Sequence, residues 1–377
     1  MTPTVVVIGA GSAGLAVAAA LRRRRFDPVI LEQGATVATS WRNRHQDLHL
    51  NTIRWLSKLP GPQIPRSAGR WVSRDDYITY LEHFTRRQQL DVHFGVRAER
   101  VDPAPGGWQV STTGGAHRAD HVVVATGHDR IPRLPDWPGR SDFRRPVLHV
   151  ADLRRAADLA DLRVLLVGGG NSSVEIAGHL VDAGVAELSV SIRTPPNLLP
   201  RQLYGIPLHP LTLALRYLPE HARDRLAQAV ARHAFGDLSR HGLPVADEGP
   251  YRRMRTTGVT VAIDQGFAAH LTAGRLRIVP TISHLYSSDV LLQDGTLIRP
   301  DLVLAATGHH PGLEPLVGHL GVLDEHGHPP TGAHQRPAKA GLWFVGYRSA
   351  IEGNLRQHPV EARQIAKQIT TIKPAAR

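Results

Sequence analysis

The sequence predicts an α/β fold built from two Rossmann-like dinucleotide-binding domains of the three-layer ββα kind, the second inserted within the first. Three observations predict it. An apolar run at residues 5–8 leads into Gly9-Ala10-Gly11-Ser12-Ala13-Gly14 and then an alanine-rich stretch. The same order returns at residues 163–181, where the turn is Gly168-Gly169-Gly170-Asn171-Ser172-Ser173. The tripeptide Ala-Thr-Gly occurs at 125–127 and again at 306–308, each time after a hairpin pattern and an apolar strand.

A β-branched apolar run such as Val5-Val6-Val7-Ile8 reads as a buried parallel strand. In the turn that follows, Gly9 permits the tight bend, Gly11 lets the backbone approach a pyrophosphate, and Gly14 allows close helix packing. The phosphates would sit at the helix N-terminus, where free N–H groups and the macrodipole favour an anion. Residues 28–31 form a second strand ending in Glu32, 18 residues after Gly14, a spacing at which a carboxylate bonds a ribose hydroxyl. The segment holding Trp41-Arg42-Asn43-Arg44 and His49-Leu50-Asn51-Thr52 has little helical periodicity and reads either as a ligand-covering loop or as a surface connection. Proline and glycine break up residues 56–70. Ser73 followed by Asp75 and Asp76 marks a helix start running to about Gln89.

A strand at 92–94 follows, then a hairpin expected between 108–111 and 121–124 around Gly114-Gly115, leading to Ala125-Thr126-Gly127. In the second nucleotide unit the helix covers 174–181 and the next strand 187–192. That strand ends in Arg193-Thr194 rather than an acid, and an arginine there suits the 2′-phosphate of NADP. Residues 195–255 belong to neither motif. They are proline-rich at first, then carry helices near 211–218 and 220–235 with Leu226 and Val230 as an apolar stripe. This region reads as a packing subdomain or as a lid and pocket wall. The second hairpin, 290–292 with 296–298, and the strand 302–305 lead to Ala306-Thr307-Gly308. A strand and glycine turn at 341–347, containing Gly346, and a helix over 359–370 close the chain.

With 377 residues the chain can bury a large core in two or three domains. It has no cysteine, which excludes disulfides, thiolate metal sites and dithiol chemistry; redox work falls to bound cofactors, and a flavin with a nicotinamide is the natural pair. No metal site is expected. The net charge of +12 is almost wholly arginine, since only four residues are lysine. Those arginines are scattered and aromatic residues make up only 5 %, which argues against a nucleic-acid partner. The apolar N-terminal run lacks a preceding positive charge and is interrupted by glycine, and no other stretch approaches a membrane span. A cytoplasmic protein is expected, and a homodimer stays open.

Taken together, these residues resemble the flavin-containing monooxygenases, and among them the YUCCA type. The resemblance covers the first glycine motif, Trp41-Arg42, residues 48–52, both Ala-Thr-Gly tripeptides and the Gly-Gly-Gly-Asn-Ser-Ser turn. It extends to Leu199-Pro200-Arg201, residues 236–243 and Glu248-Gly249-Pro250. The family's F-x-G-x-x-x-H signature is partial: Phe143 and His149 stand at the right spacing, Arg145 replaces the glycine, and Leu153 replaces an aromatic.

The resemblance implies an FAD domain at 1–150 plus 300–377 and an inserted NADP domain at 151–299. It implies that NADPH reduces the flavin, that O2 is taken up as a flavin 4a-hydroperoxide, and that one oxygen atom passes to a small organic substrate. N- or S-oxygenation, Baeyer–Villiger chemistry and oxidative decarboxylation of an indole-3-pyruvate-like acid all fit, and an NAD(P)H-dependent flavin reductase is the alternative. Asn51 matches the family's asparagine that donates a hydrogen bond to the oxygenating adduct, a task suited to a non-titrating amide. Ser172, Ser173, Arg193 and Thr194 would hold NADP, while Glu32, Trp41, Arg42, Thr126, Gly127, Thr307, Gly308 and Gly346 complete the candidate cofactor shell.

Overall fold

A computed structural model of the chain describes residues 3–330 and 337–371. Two five-stranded parallel sheets organise it. The first runs in the order Leu342–Phe344, His121–Val124, Val5–Ile8, Val29–Glu32, Asp91–Phe94. The second repeats that plan with Arg277–Val279, Glu187–Ser191, Arg163–Val167, Leu302–Ala305 and Val147–His149.

Each sheet is covered on both faces, which is why its central strands carry unbroken apolar runs. Side chains alternate along a strand. Val5 and Val7 therefore enter the core beneath the helices Ser12–Arg22 and Asn354–Thr371, while Val6 and Ile8 face a three-stranded meander, Ala98–Ala104, Gly107–Thr112 and Gly115–Ala119. In the second sheet Val164 and Leu166 pack under helix Asn171–Asp182, and Leu165 and Val167 meet the meander Ile282–Leu285, Val290–Leu292 and Leu297–Ile298. Helix, parallel sheet and meander are the three layers.

The glycine turns are set by backbone crowding. Gly9 has φ +107°, and a Cβ there would lie 2.7 Å from the Ala125 carbonyl oxygen; Gly168, at φ +143°, would clash likewise with Ala306 at 2.4 Å. The alanine of each Ala-Thr-Gly thus abuts the first glycine of each nucleotide motif, and this explains why the tripeptide recurs. At the third position the halves differ. A Cβ on Gly14 would stand 2.0 Å from the Gly9 carbonyl oxygen. The second motif has Ser173 there, and its hydroxyl donates to the Gly168 carbonyl at 2.7 Å.

Several elements depart from what the sequence predicts. The hairpin partner of Gly107–Thr112 is Gly115–Ala119; His121–Val124 enters the parallel sheet instead, since all four of its residues are buried. The second sheet includes Val147–His149 and Leu302–Ala305, strands that the boundaries at 150 and 300 assign to the first half. The final helix begins at Asn354, with Pro359 inside it. Helix Glu220–Phe235 buries Asp224 and Ala227, leaving Leu226 41 % exposed, because Asp224 accepts the Tyr251 N–H at 2.7 Å and the Arg252 N–H at 3.3 Å and so caps helix Pro250–Thr257. Ser73 does cap helix Arg74–Arg87, accepting from the Asp76 N–H.

Because its new methyl group would push the first helix off the turn, Gly14→Ala is expected to destabilise the protein by about 1–3 kcal/mol. Thermal unfolding of the purified variant beside wild type measures this.

Candidate active site between the two sheets

The carboxyl ends of both central strands open on one cavity of about 900 Å³. Such ends are where open α/β sheets bind ligands. Gly9, Gly11, Ser12, Glu32, Trp41, Asn51, Thr126, Gly127 and Gly346 line it from the first half, and Gly170, Asn171, Ser172 and Gly308 from the second.

The two motifs fit two dinucleotides. Gly11 and Gly170 each hold the N-cap position of a helix in extended conformation, and neither helix start receives a side-chain cap. Its first N–H groups are therefore free for an anion. A Cβ built on Gly11 or Gly170 would meet no protein atom within 4 Å, so the backbone there can be approached closely. Gly9, Gly14 and Gly168 serve the turn geometry beneath.

Around the first turn the side chains brace one another. Glu32 is buried, its Oε2 accepting the Ala10 N–H and its Oε1 the Gly34 N–H, both at 2.8 Å. Each oxygen keeps a further lone pair, so a ribose hydroxyl is still compatible with this brace. The Ser12 hydroxyl lies 3.0 Å from His358 Nδ1, and burial pushes that imidazole down to about 4, keeping it neutral. Tyr347 accepts the Thr126 N–H at 3.2 Å and shares a 2.8 Å hydrogen bond with the Thr126 hydroxyl; burial raises the phenol to about 12. Trp41 packs edge-on to Tyr77 with centroids 4.8 Å apart.

Some expected residues fall outside the cavity. Arg42 turns to solvent and pairs with Glu82, while Arg44, two residues on, lines the cavity and pairs with Asp129 at 3.1 Å. Ser173 is buried and spends its hydroxyl on Gly168, and the Thr307 hydroxyl donates to the Arg133 carbonyl. Arg193 and Thr194 are exposed beyond the lining, although the Thr194 carbonyl oxygen would lie only 2.8 Å from a Cβ on Gly169. Both therefore flank the second turn at its rim.

In the partial signature motif both matching side chains are buried. Phe143 packs between the second sheet and its meander, and Arg145 is exposed. His149 is buried; its Nε2 donates to the Gly308 carbonyl at 3.1 Å and its Nδ1 accepts the Ala151 N–H at 3.1 Å. Burial lowers its pKa, which suits this neutral, doubly satisfied ring.

Asn51 stands against residues that periodicity does not reveal. Its Oδ1 accepts from Gln265 Nε2 at 2.9 Å, and Arg201 donates to Gln265 Oε1 at 2.8 Å and to the Leu50 carbonyl at 2.7 Å. Glu175 is buried beside them, pushed up to about 7 by burial against the pull of Arg201. Asn171 ties this corner to the second turn by accepting the Ile263 N–H at 2.8 Å. Of Arg201, Gln265 and Glu175, only Arg201, through Leu199-Pro200-Arg201, carried a sequence signal.

Residues 6–214 match the family model described as pyridine nucleotide-disulphide oxidoreductase. That defines the class: a dinucleotide-binding redox protein, here with no cysteine of its own for the disulphide half of the name. The chain is 31 % identical to indole-3-pyruvate monooxygenase YUCCA1 of Oryza sativa subsp. japonica, over 81 % of this chain and 77 % of that protein. It is 30 % identical to probable indole-3-pyruvate monooxygenase YUCCA3 of Arabidopsis thaliana, over 91 % and 81 %. In fold it matches a double mutant of the flavin monooxygenase from Stenotrophomonas maltophilia, with TM-score 0.77, 24 % identity and 98 % of both chains covered. The chain belongs to the flavin-containing monooxygenase family, flavin-dependent enzymes that work with FAD and NADPH. Among the described residues no helix is long and apolar enough to cross a membrane.

Gly11→Ala separates binding from folding. With nothing for its methyl group to strike, the variant is expected to unfold within about 1 kcal/mol of wild type yet to lose FAD during purification. The absorbance ratio of bound flavin to protein reads that loss.

Proposed function

We propose that this enzyme catalyses NADPH-dependent transfer of one atom of O2 to a small organic substrate, the other atom leaving as water. Within that reaction class the reading favoured here is oxidative decarboxylation of an indole-3-pyruvate-like 2-oxo acid, on the strength of the relatives' names. The supporting observation is the shared cavity: two uncapped helix starts, one from each sheet, open on a single space that also holds the Asn51 amide.

Bound FAD supplies a carrier that accepts hydride from NADPH and activates O2. The chain's own residues then have separable tasks. The turn at Gly9, Gly11 and Ser12, with Glu32, Thr126, Gly127 and Gly346, would seat FAD. The turn at Gly170, Asn171 and Ser172 would seat the pyrophosphate of NADPH, with Arg193 and Thr194 at the rim for its 2′-phosphate. Leu50, Ile263, Ile351 and Leu355 form apolar wall around the cavity, reducing water access to the reacting centre. Asn51 donates a hydrogen bond from an amide that does not titrate.

The test is turnover of indole-3-pyruvate under 18O2 with NADPH, with mass spectrometry of the product. One 18O atom in the acid formed supports the proposal; NADPH consumed with H2O2 as the sole oxygen product rejects it. Asn51→Asp is expected to go on oxidising NADPH while releasing H2O2 in place of product, which a peroxidase-coupled assay measures. Arg193→Ala is expected to raise KM for NADPH by roughly 10- to 100-fold, the worth of a charge-assisted hydrogen bond, and to leave KM for NADH nearly unchanged.

A further inference from the structure

The amide of Asn51 is oriented from the other half of the molecule. Leu198–Pro200 and Ala262–Asp264 pair in parallel with Pro200 opposite Asp264, so the next residue on each strand, Arg201 and Gln265, emerge side by side. Arg201 Nη1 donates to Gln265 Oε1 at 2.8 Å, and Gln265 Nε2 donates to Asn51 Oδ1 at 2.9 Å. Arg201 also holds the main chain next to Asn51, donating from Nη2 to the Leu50 carbonyl at 2.7 Å.

The direction of this chain follows from its first member. An asparagine and a glutamine facing each other can bond in either sense, because both amides carry a donor and an acceptor. A guanidinium has donors only. Arg201 therefore compels Gln265 to turn its oxygen inward and its NH2 toward Asn51, and Asn51 must answer with Oδ1. What remains is the Asn51 NH2 group, on a residue that lines the cavity while Gln265 does not. The guanidinium is itself held, its Cζ 4.0 Å above the Trp71 ring. Burial lowers its pKa only to about 10, so it is a cation at neutral pH.

We infer that Arg201 and Gln265 are positioning residues for oxygen transfer, locking Asn51 with its NH2 presented to the cavity. The inference rests on the monooxygenase reading of Asn51. Its consequence is that the donor is correctly aimed only while the strand pair of the second half is docked against residues 50–51.

Gln265→Glu is the discriminating variant, since its carboxylate still accepts from Arg201 but has no N–H to give Asn51. Arg201→Lys is the second, its single ammonium point replacing the planar fork. In FAD-loaded protein labelled with 15N, the Asn51 side-chain signal is assigned by its loss in Asn51→Asp. That signal is expected to shift in both variants. With indole-3-pyruvate as the probe, product formed per NADPH is expected to fall at least about tenfold in Gln265→Glu, with H2O2 rising to match. Placed in an Asn51→Ala background, Gln265→Glu should add no further uncoupling, as two residues acting through one group are non-additive. An Asn51 signal unmoved by Gln265→Glu, or uncoupling that adds in full in the double variant, overturns the inference. If wild type forms no product while the Asn51 signal still moves, the relay stands and the proposed function fails.

Discussion

The architecture depends on one backbone contact made twice. The first glycine of each nucleotide turn lies against the carbonyl of the alanine that follows the neighbouring parallel strand, Gly9 against Ala125 and Gly168 against Ala306. Positive φ and this close approach together exclude a side chain. The turn, the helix start behind it and the Ala-Thr-Gly beside it are therefore one constraint, and it places two uncapped helix N-termini at the same cavity.

Around that shared device the halves have diverged. The first closes its turn with the bare Gly14 and braces it with buried Glu32; the second uses the hydroxyl of Ser173. Thr126 recruits Tyr347 from the last strand's turn, whereas Thr307 bonds Arg133 and leaves the cavity wall to Gly308. The joint between the halves is polar and directional. Asn171 fastens the second turn to the strand Ala262–Asp264, and Arg201 and Gln265 carry that geometry to Leu50 and Asn51. These hydrogen bonds tie the second nucleotide turn to residues 50–51 of the first half.

Much was legible because the signals were local. Val5 to Ile8 with its glycine turn, Ser73 as a cap and the paired Ala-Thr-Gly tripeptides each announce a backbone conformation by residue type alone. The failures share a cause. His121–Val124 and Gly115–Ala119 compete for the same hairpin on pattern, and burial on both faces decides between them. Leu226 and Val230 form a helical stripe on paper, but Asp224 and Ala227 face inward, where Asp224 accepts the Tyr251 N–H. Arg42 and Arg44 are equivalent in the sequence; a single helical turn, Thr39–Arg42, sends the first to Glu82 and the second to the cavity.

By itself the sequence determined that two dinucleotide turns exist, where they lie and that no thiol can serve them, because glycine requirements and the absence of cysteine are properties of single positions. Only the tertiary structure decided that both turns open on one cavity, that both ring nitrogens of His149 are satisfied, and that Gln265 meets Asn51 while Arg201 meets Leu50. Asn51 lies more than a hundred positions from both Arg201 and Gln265, and a contact across such a distance depends on how two sheets dock, which no local pattern encodes.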